Sequence, residues 1–299
     1  MTERLWFVTG AGRGLGRAFA EAALDRGDRV VATVRREGVL DELVKMYGDR
    51  LVPHRLDVTD RAEVFRVVDE VAATVGVPDV VVNNAGYGLV GAIEELSEDE
   101  VRAQFEVNLY GAMWVSQAVL PHLRERGSGR IVQVSTVGAV GHMPLFGAYN
   151  ASKWALEGFS SALAAEVAPL GIGVHLVQLG GFATDWFGSS MQYGTALPAY
   201  EATRAGIFGM PGYPTPEMVQ EAGPSTDESP RVAADALLAL LDEPEPPLRK
   251  VIGTGAHDMV RMALEWRRDD YQRDPAFTWP SATEAKGATE PTQTTQSPE

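Results

Sequence analysis

The sequence predicts an α/β fold, a doubly wound parallel sheet with helices on both faces (three layers, α/β/α), on three observations. Short apolar runs rich in valine alternate with longer stretches that carry apolar residues at helical spacing. The first of these runs, Leu5 to Val8, opens directly into a glycine-rich turn. No fixed period repeats along the chain, which sets repeat architectures aside. Strands joined through helices of this length form βαβ units, whose strands lie parallel in one sheet. The chain has 299 residues and 45% hydrophobic content, ample for a sizeable core.

Taken in order, Leu5–Val8 is a buried strand. Gly14 to Arg26 places Leu15, Phe19, Ala22, Ala23 and Leu24 on a helix that Gly27 stops. Arg29 to Val34 is a second strand. Asp60 opens a helix running to Val75, with Glu63 in the capping-box position. Val80-Val81-Val82 is a strand ending at Asn83-Asn84-Ala85-Gly86. Ser97 and Glu100 form a second capping box, and the helix behind it runs through Asn108 to about Leu120. Arg130–Val134 is a strand, Tyr149–Val167 a helix and Gly173–Leu179 a strand. Residues 187–228 are rich in Gly, Pro, Met and aromatics with no clean period. Ser229-Pro230 fits the start of another helix, and Lys250-Val251-Ile252 a last strand. Residues 1–274 are read as one domain, and 275–299, with little to bury, as a disordered tail.

Net charge is −15 and the sequence pI about 4.8, which argues against nucleic acid and against an anionic membrane as partner. With no cysteine, disulfides, thiol catalysis and zinc–thiolate sites are excluded, and no metal site is expected. No charged leader or long apolar segment precedes the first strand, so the expectation is a soluble, cytoplasmic protein.

Two stretches carry chemistry. Thr9-Gly10-Ala11-Gly12-Arg13-Gly14-Leu15-Gly16 joins the first strand to the first helix. Glycines there let the backbone approach a pyrophosphate, and the helix N-terminus presents free N–H groups to it. At the end of the second strand stand Arg35 and Arg36, with no carboxylate to bond a ribose diol. Arg35, helped by Arg13, suits the extra 2′-phosphate of NADP(H), which is therefore expected over NAD(H). Further on, Tyr149 and Lys153 stand four apart on one helix face, just after Ser135-Thr136. A phenol beside an ammonium ionises more easily, and a nearby hydroxyl can hold a carbonyl oxygen.

These motifs, in this order over residues 4–255, resemble the short-chain dehydrogenase/reductase family, in its NADP-preferring ketoreductase and 17-beta-hydroxysteroid-dehydrogenase-like form. The resemblance implies a Rossmann-type fold and a nicotinamide-dependent oxidoreductase that interconverts a ketone or aldehyde and an alcohol. It assigns the acid/base to Tyr149. It gives Lys153 the nicotinamide ribose and the lowering of the tyrosine pKa, and Asn108 the support of a water chain. Asp57 and Val58 fall at the adenine, Asn84, Ala85 and Gly86 beside the adenosine ribose, and Thr184 at the carboxamide. The family's substrate-orienting hydroxyl falls on Thr136 when counted back from Pro144, while Ser135 is the more obvious serine; Thr136 is preferred. Phe182 and Trp186 are read as packing residues.

The lid of this family falls at about residues 187–228. Its Met191, Tyr193, Tyr200, Ile207, Phe208, Met210, Tyr213 and Met218, with Met143, Leu145 and Phe146, suit an apolar or aromatic substrate such as a polyketide, acyl chain, steroid or terpenoid. The family also implies a homodimer or homotetramer. Two other readings remain open at this point: a non-catalytic NADP-binding sensor or scaffold, and an epimerase or dehydratase on the same fold.

Overall fold

The computed structural model describes residues 3–184, 191–221 and 227–278. Its sheet grows outward from two central strands, β1 (Leu5–Val8) and β4 (Val80–Asn83), each four residues long and buried throughout. On one side lie β2 (Arg29–Val34) and β3 (Leu51–Arg55). On the other lie β6 (Gly129–Thr136), β7 (Ile172–Leu179) and β9 (Arg249–Ile252). The spatial order is β3-β2-β1-β4-β6-β7-β9, and every neighbouring pair is parallel. This is the expected α/β fold. Strands buried on both faces read as continuous valine runs rather than alternating ones, which is why β1, β2 and β4 were legible.

Side chains alternate across the sheet. Trp6 and Val8 join a core with helices α1 (Gly14–Asp25), α2 (Asp41–Tyr47) and α9 (Pro230–Asp242). Leu5 and Phe7 face α3 (Arg61–Thr74), α5 (Ala112–Arg126) and α6 (Gly147–Val167) on the other side. A last helix, α10 (Ala256–Tyr271), follows β9.

Several boundaries differ from expectation. β3 and α2 escaped the sequence reading: β3 carries Pro53, His54 and Arg55, and as the end strand of the sheet it is fully buried only at Leu51. Asp60 caps α3 by accepting the Glu63 N–H at 3.0 Å, but Glu63 turns its carboxylate to the Asp57 N–H instead of completing the box. The box at Ser97 is complete and opens α4 (Glu98–Phe105). The helix expected through Asn108 to about Leu120 passes through a π-helical turn at Glu106–Gly111 before α5. Residues 191–221, which lack a clean period, fold into small pieces: β8 (Met191–Tyr193), α7 (Glu201–Phe208) and α8 (Pro216–Glu221). β8 pairs in parallel with β5 (Gly88–Val90), beside the end of β4. Trp186, Phe187 and most of the expected tail lie outside the described residues. No helix among the described residues is long and apolar enough to cross a membrane.

Candidate active site

The order of strands reverses between β1 and β4, and ligands of open α/β sheets bind outside the carboxyl ends of strands at such a point. The glycine loop follows β1. Gly10 and Gly14 have φ of +66° and +54°, a backbone region that favours glycine. A Cβ on Gly16 would meet the Gly10 carbonyl oxygen and Asn84 Nδ2 at 2.4 Å, so glycine alone lets α1 start this close to the loop. Thr9 and Asn84 brace the loop from beneath. The Thr9 hydroxyl accepts the N–H groups of Asn84 and Ala85, and Asn84 Nδ2 donates to the carbonyls of Thr9 (2.9 Å) and Gly10 (3.2 Å). Asn84 therefore shapes the loop through its side chain. No side chain caps α1 at Arg13, and its first turn carries no acidic residue. Its amides and dipole are thus left for an anion, as a dinucleotide pyrophosphate would use them.

The Ala11 N–H donates to the Thr33 carbonyl at 3.0 Å, which ties the loop to the end of β2. Arg35 follows two residues later and is exposed. Asp57, half-buried beyond β3, accepts both the N–H and the hydroxyl of Thr59. Val58 is buried against Gly111. Thr184 lies across from the loop, 3.6 Å from where a Cβ on Gly14 would be.

β6 ends in Ser135 and Thr136, which point to opposite faces. The Ser135 hydroxyl donates to Glu157 Oε1 on α6 at 2.7 Å, behind the sheet end. Glu157 also accepts from Gln178 Nε2 (2.9 Å) and Arg249 Nε (2.8 Å). Thr136 faces the other way. Its oxygen accepts the Gly138 N–H at 3.2 Å, and its hydroxyl is hydrogen-bonded to the Tyr149 phenol. Of the two candidates, it is Thr136 that the fold brings to Tyr149.

Tyr149 and Lys153 lie in the buried first half of α6. Burial pushes the phenol up to about 12, against which the Thr136 hydrogen bond works. Burial also pulls the Lys153 ammonium down to about 8. The ammonium donates to the Val134 carbonyl at 2.8 Å. Desolvation by burial is the largest influence at both groups. Gly86 lets these side chains crowd together, because a Cβ there would sit 3.1 Å from Asn108 Oδ1 and 3.6 Å from Lys153 Nζ. Asn108, inside the π turn, accepts the Tyr87 N–H and donates to the Tyr87 carbonyl and Ser152 Oγ. π turns inside helices recur at functional sites.

Tyr149 belongs to an apolar cluster with Val90, Ala92, Leu145, Phe146 and Met191, with Tyr193, Tyr200, Ile207, Phe208 and Tyr213 packed on it. Leu145 sits at φ +69°, the one positive value outside glycine among the described residues, and its carbonyl accepts the Gly91 N–H at 2.7 Å. Sequence reasoning missed Glu157, Gln178 and Ser152, whose roles depend on partners in other elements.

A glycine-rich strand–loop–helix passage, a buried Tyr/Lys pair and a hydroxyl at the carboxyl ends of the strands are the arrangement expected of a dinucleotide-dependent enzyme. Comparison with known proteins gives the particular family. The family model for short chain dehydrogenase matches residues 4–210. An oxidoreductase of Botryotinia fuckeliana, BOA17, is 43% identical over 88% of this chain and 93% of its own. The crystal structure of a short-chain dehydrogenase from Streptomyces avermitilis is 40% identical, covers 90% of this chain and 96% of its own, and superposes with a TM-score of 0.81. A short-chain dehydrogenase from Burkholderia cenocepacia, solved with NADP, is 26% identical over 91% of this chain and 97% of its own, with a TM-score of 0.69. The chain belongs to the short-chain dehydrogenase family and is an NAD(P)-dependent oxidoreductase.

Proposed function

We propose that the protein is an NADPH-dependent reductase of a bulky apolar or aromatic ketone or aldehyde, giving the alcohol. The observation that carries this is the Thr136–Tyr149 hydroxyl pair, with Tyr149 part of an apolar and aromatic cluster and Lys153 buried near it. The cofactor's nicotinamide supplies the hydride. The loop Gly10–Gly16 would hold its pyrophosphate, Arg35 with Arg13 its 2′-phosphate, and Asp57, Val58, Ala85 and Gly86 its adenosine. Lys153 and Thr184 would hold the nicotinamide ribose and carboxamide.

Thr136 and Tyr149 donate hydrogen bonds to the substrate carbonyl oxygen, which fixes the carbonyl carbon for reduction. A phenol at about 12 keeps its proton near neutrality and gives it to the oxygen as negative charge develops there. Lys153 and Asn108, crowded against Gly86, are assigned the return of that proton.

The test is NADPH oxidation against a panel of bulky ketones. Tyr149→Phe is expected to bind NADPH normally and to lose turnover by about 10²–10⁴-fold. Wild-type turnover in that variant would remove Tyr149 from the mechanism. Binding of NADPH without consumption against any carbonyl would favour a sensor, or an epimerase or dehydratase.

A further inference from the structure

One buried charge pair lies outside the machinery described so far. Glu95 ends a short turn after β5, and its side chain has no exposed area. Its Oε2 accepts the Ala92 N–H of its own turn at 2.9 Å. Its other partners lie in residues 195–213. The Glu95 carbonyl accepts the Thr195 N–H, and Oε1 accepts the Leu197 N–H at 2.7 Å. The carboxylate also takes short hydrogen bonds from Arg204 Nη1 and the Tyr213 hydroxyl. Burial works to raise the Glu95 carboxyl pKa. The bonds from Tyr213, Leu197 and Ala92 and the Arg204 charge outweigh it, so the group stays below the usual carboxylate range.

Arg204 is equally committed. It donates to the Pro211 carbonyl (2.6 Å) and the Leu197 carbonyl (2.8 Å), and its guanidinium lies 5.3 Å from the centre of the Tyr213 ring. It is also the only Lys or Arg between residues 187 and 228. Close backbone contact accompanies the pair: a Cβ on Gly194 would meet the Glu95 carbonyl oxygen at 2.6 Å.

Tyr213 connects this network to the cluster around Tyr149. Its ring stacks on Tyr193 at 5.3 Å and meets Phe208 edge-on at 6.0 Å. All three pack on the cluster that contains Tyr149. A buried ion pair is weak evidence of net stability, and its better-attested use is to fix one arrangement among several.

We propose that Glu95, Arg204 and Tyr213 are positioning residues that hold the aromatic cluster packed with Tyr149 in place before substrate arrives, and that the neutralised Arg204 makes the site select uncharged carbonyl compounds. The second half rests on the reductase reading above. The first does not. A preformed wall avoids the ordering otherwise required on binding. A substrate carboxylate would find the lid's one cation already paired and would be desolvated without a partner.

The test has two arms, using Tyr213→Phe and Glu95→Gln in the full chain. In amide hydrogen exchange without substrate, residues 194–213 are expected to be protected in the wild type. They should exchange about tenfold faster or more in both variants, with α1 and β4 unchanged. Unaltered exchange in both variants overturns the positioning role, whether or not any carbonyl compound is turned over. In kinetics, Tyr213→Phe should raise KM for a bulky ketone about fivefold or more, leaving kcat and NADPH affinity within about twofold. A fall in kcat at constant KM overturns it. The wild type should prefer a keto ester to the matching keto acid by about tenfold or more, and a preference for the acid overturns the selectivity.

Discussion

Replacing Ser135 and Thr136 one at a time by alanine separates support from chemistry within a single dipeptide. Ser135 is buried and donates to a carboxylate at 2.7 Å, while Glu157 keeps Gln178 and Arg249 as partners. Hydrogen bonds to charged groups are worth about 1.5–3 kcal/mol, so Ser135→Ala is expected to cost about 2 kcal/mol of stability. For a domain of this size that lowers the melting temperature by roughly 3 °C. Turnover of the folded fraction should stay near wild type, since nothing from Ser135 reaches Tyr149. Thr136→Ala removes the hydroxyl bonded to Tyr149 and the acceptor of the Gly138 N–H. Losing one donor to a developing oxyanion lowers kcat by about 10²–10³-fold. The lost turn contact costs only about 1 kcal/mol. Thr136→Ser, which keeps both bonds, should recover most of the activity. The assay is initial-rate NADPH oxidation normalised to folded protein by thermal melts. The reasoning fails if Ser135→Ala loses turnover while Thr136→Ala keeps it.

Two further outcomes are expected. Arg35→Asp should invert the preference for NADPH over NADH, because a carboxylate at the end of β2 repels a 2′-phosphate and bonds a ribose diol. An unchanged preference by cofactor titration would remove Arg35 from that role. Lys153 has a pKa lowered by burial from 10.5 to about 8. The folded state therefore binds fewer protons than the unfolded state between those values, and stability rises with pH across that window. Relative to Lys153→Met, the wild type should gain on the order of 2–3 kcal/mol between pH 8 and 10, read by denaturant unfolding. Tyr149, raised from 10 to about 12, acts in the opposite sense only above pH 10. A flat difference from pH 7 to 10 would show that burial does not depress Lys153.

The parts of the site legible in the sequence are those built inside one element or across one turn. The glycine loop lies within a single strand–loop–helix passage, so its spacing states its geometry. Tyr149 and Lys153 share a face because a helix repeats every 3.6 residues. The preference for Thr136 over Ser135 came from the count back from Pro144, and the two-residue alternation of a strand adds only that the two hydroxyls face opposite ways. β3 and α2 were missed because an edge strand with Pro53, His54 and Arg55 lacks the apolar run that marked its neighbours. The π turn at Glu106–Gly111 was missed for another reason. A π turn leaves hydrophobic spacing almost unchanged and is set by where Asn108 must reach, to Tyr87 and Ser152.

Polar networks between elements follow a different rule. Glu157 gathers Ser135, Gln178 and Arg249 from β6, β7 and β9, strands that become neighbours only through the sheet order. Glu95 meets Leu197, Arg204 and Tyr213 across separations of 102, 109 and 118 residues. In the sequence each of these looks like a surface charge, since Glu and Arg are seldom fully buried unless paired. Their burial is the consequence of pairing, and the pairing is the consequence of topology. Acid/base groups can therefore be named from a local pattern, while the residues that hold the substrate wall against them can be named only once the lid has been docked onto the sheet. Under the proposed positioning role, substrate choice is decided in that second set. A change of Tyr149 is expected to abolish turnover of every carbonyl compound alike, whereas a change of Glu95 or Tyr213 is expected to alter which compounds are turned over.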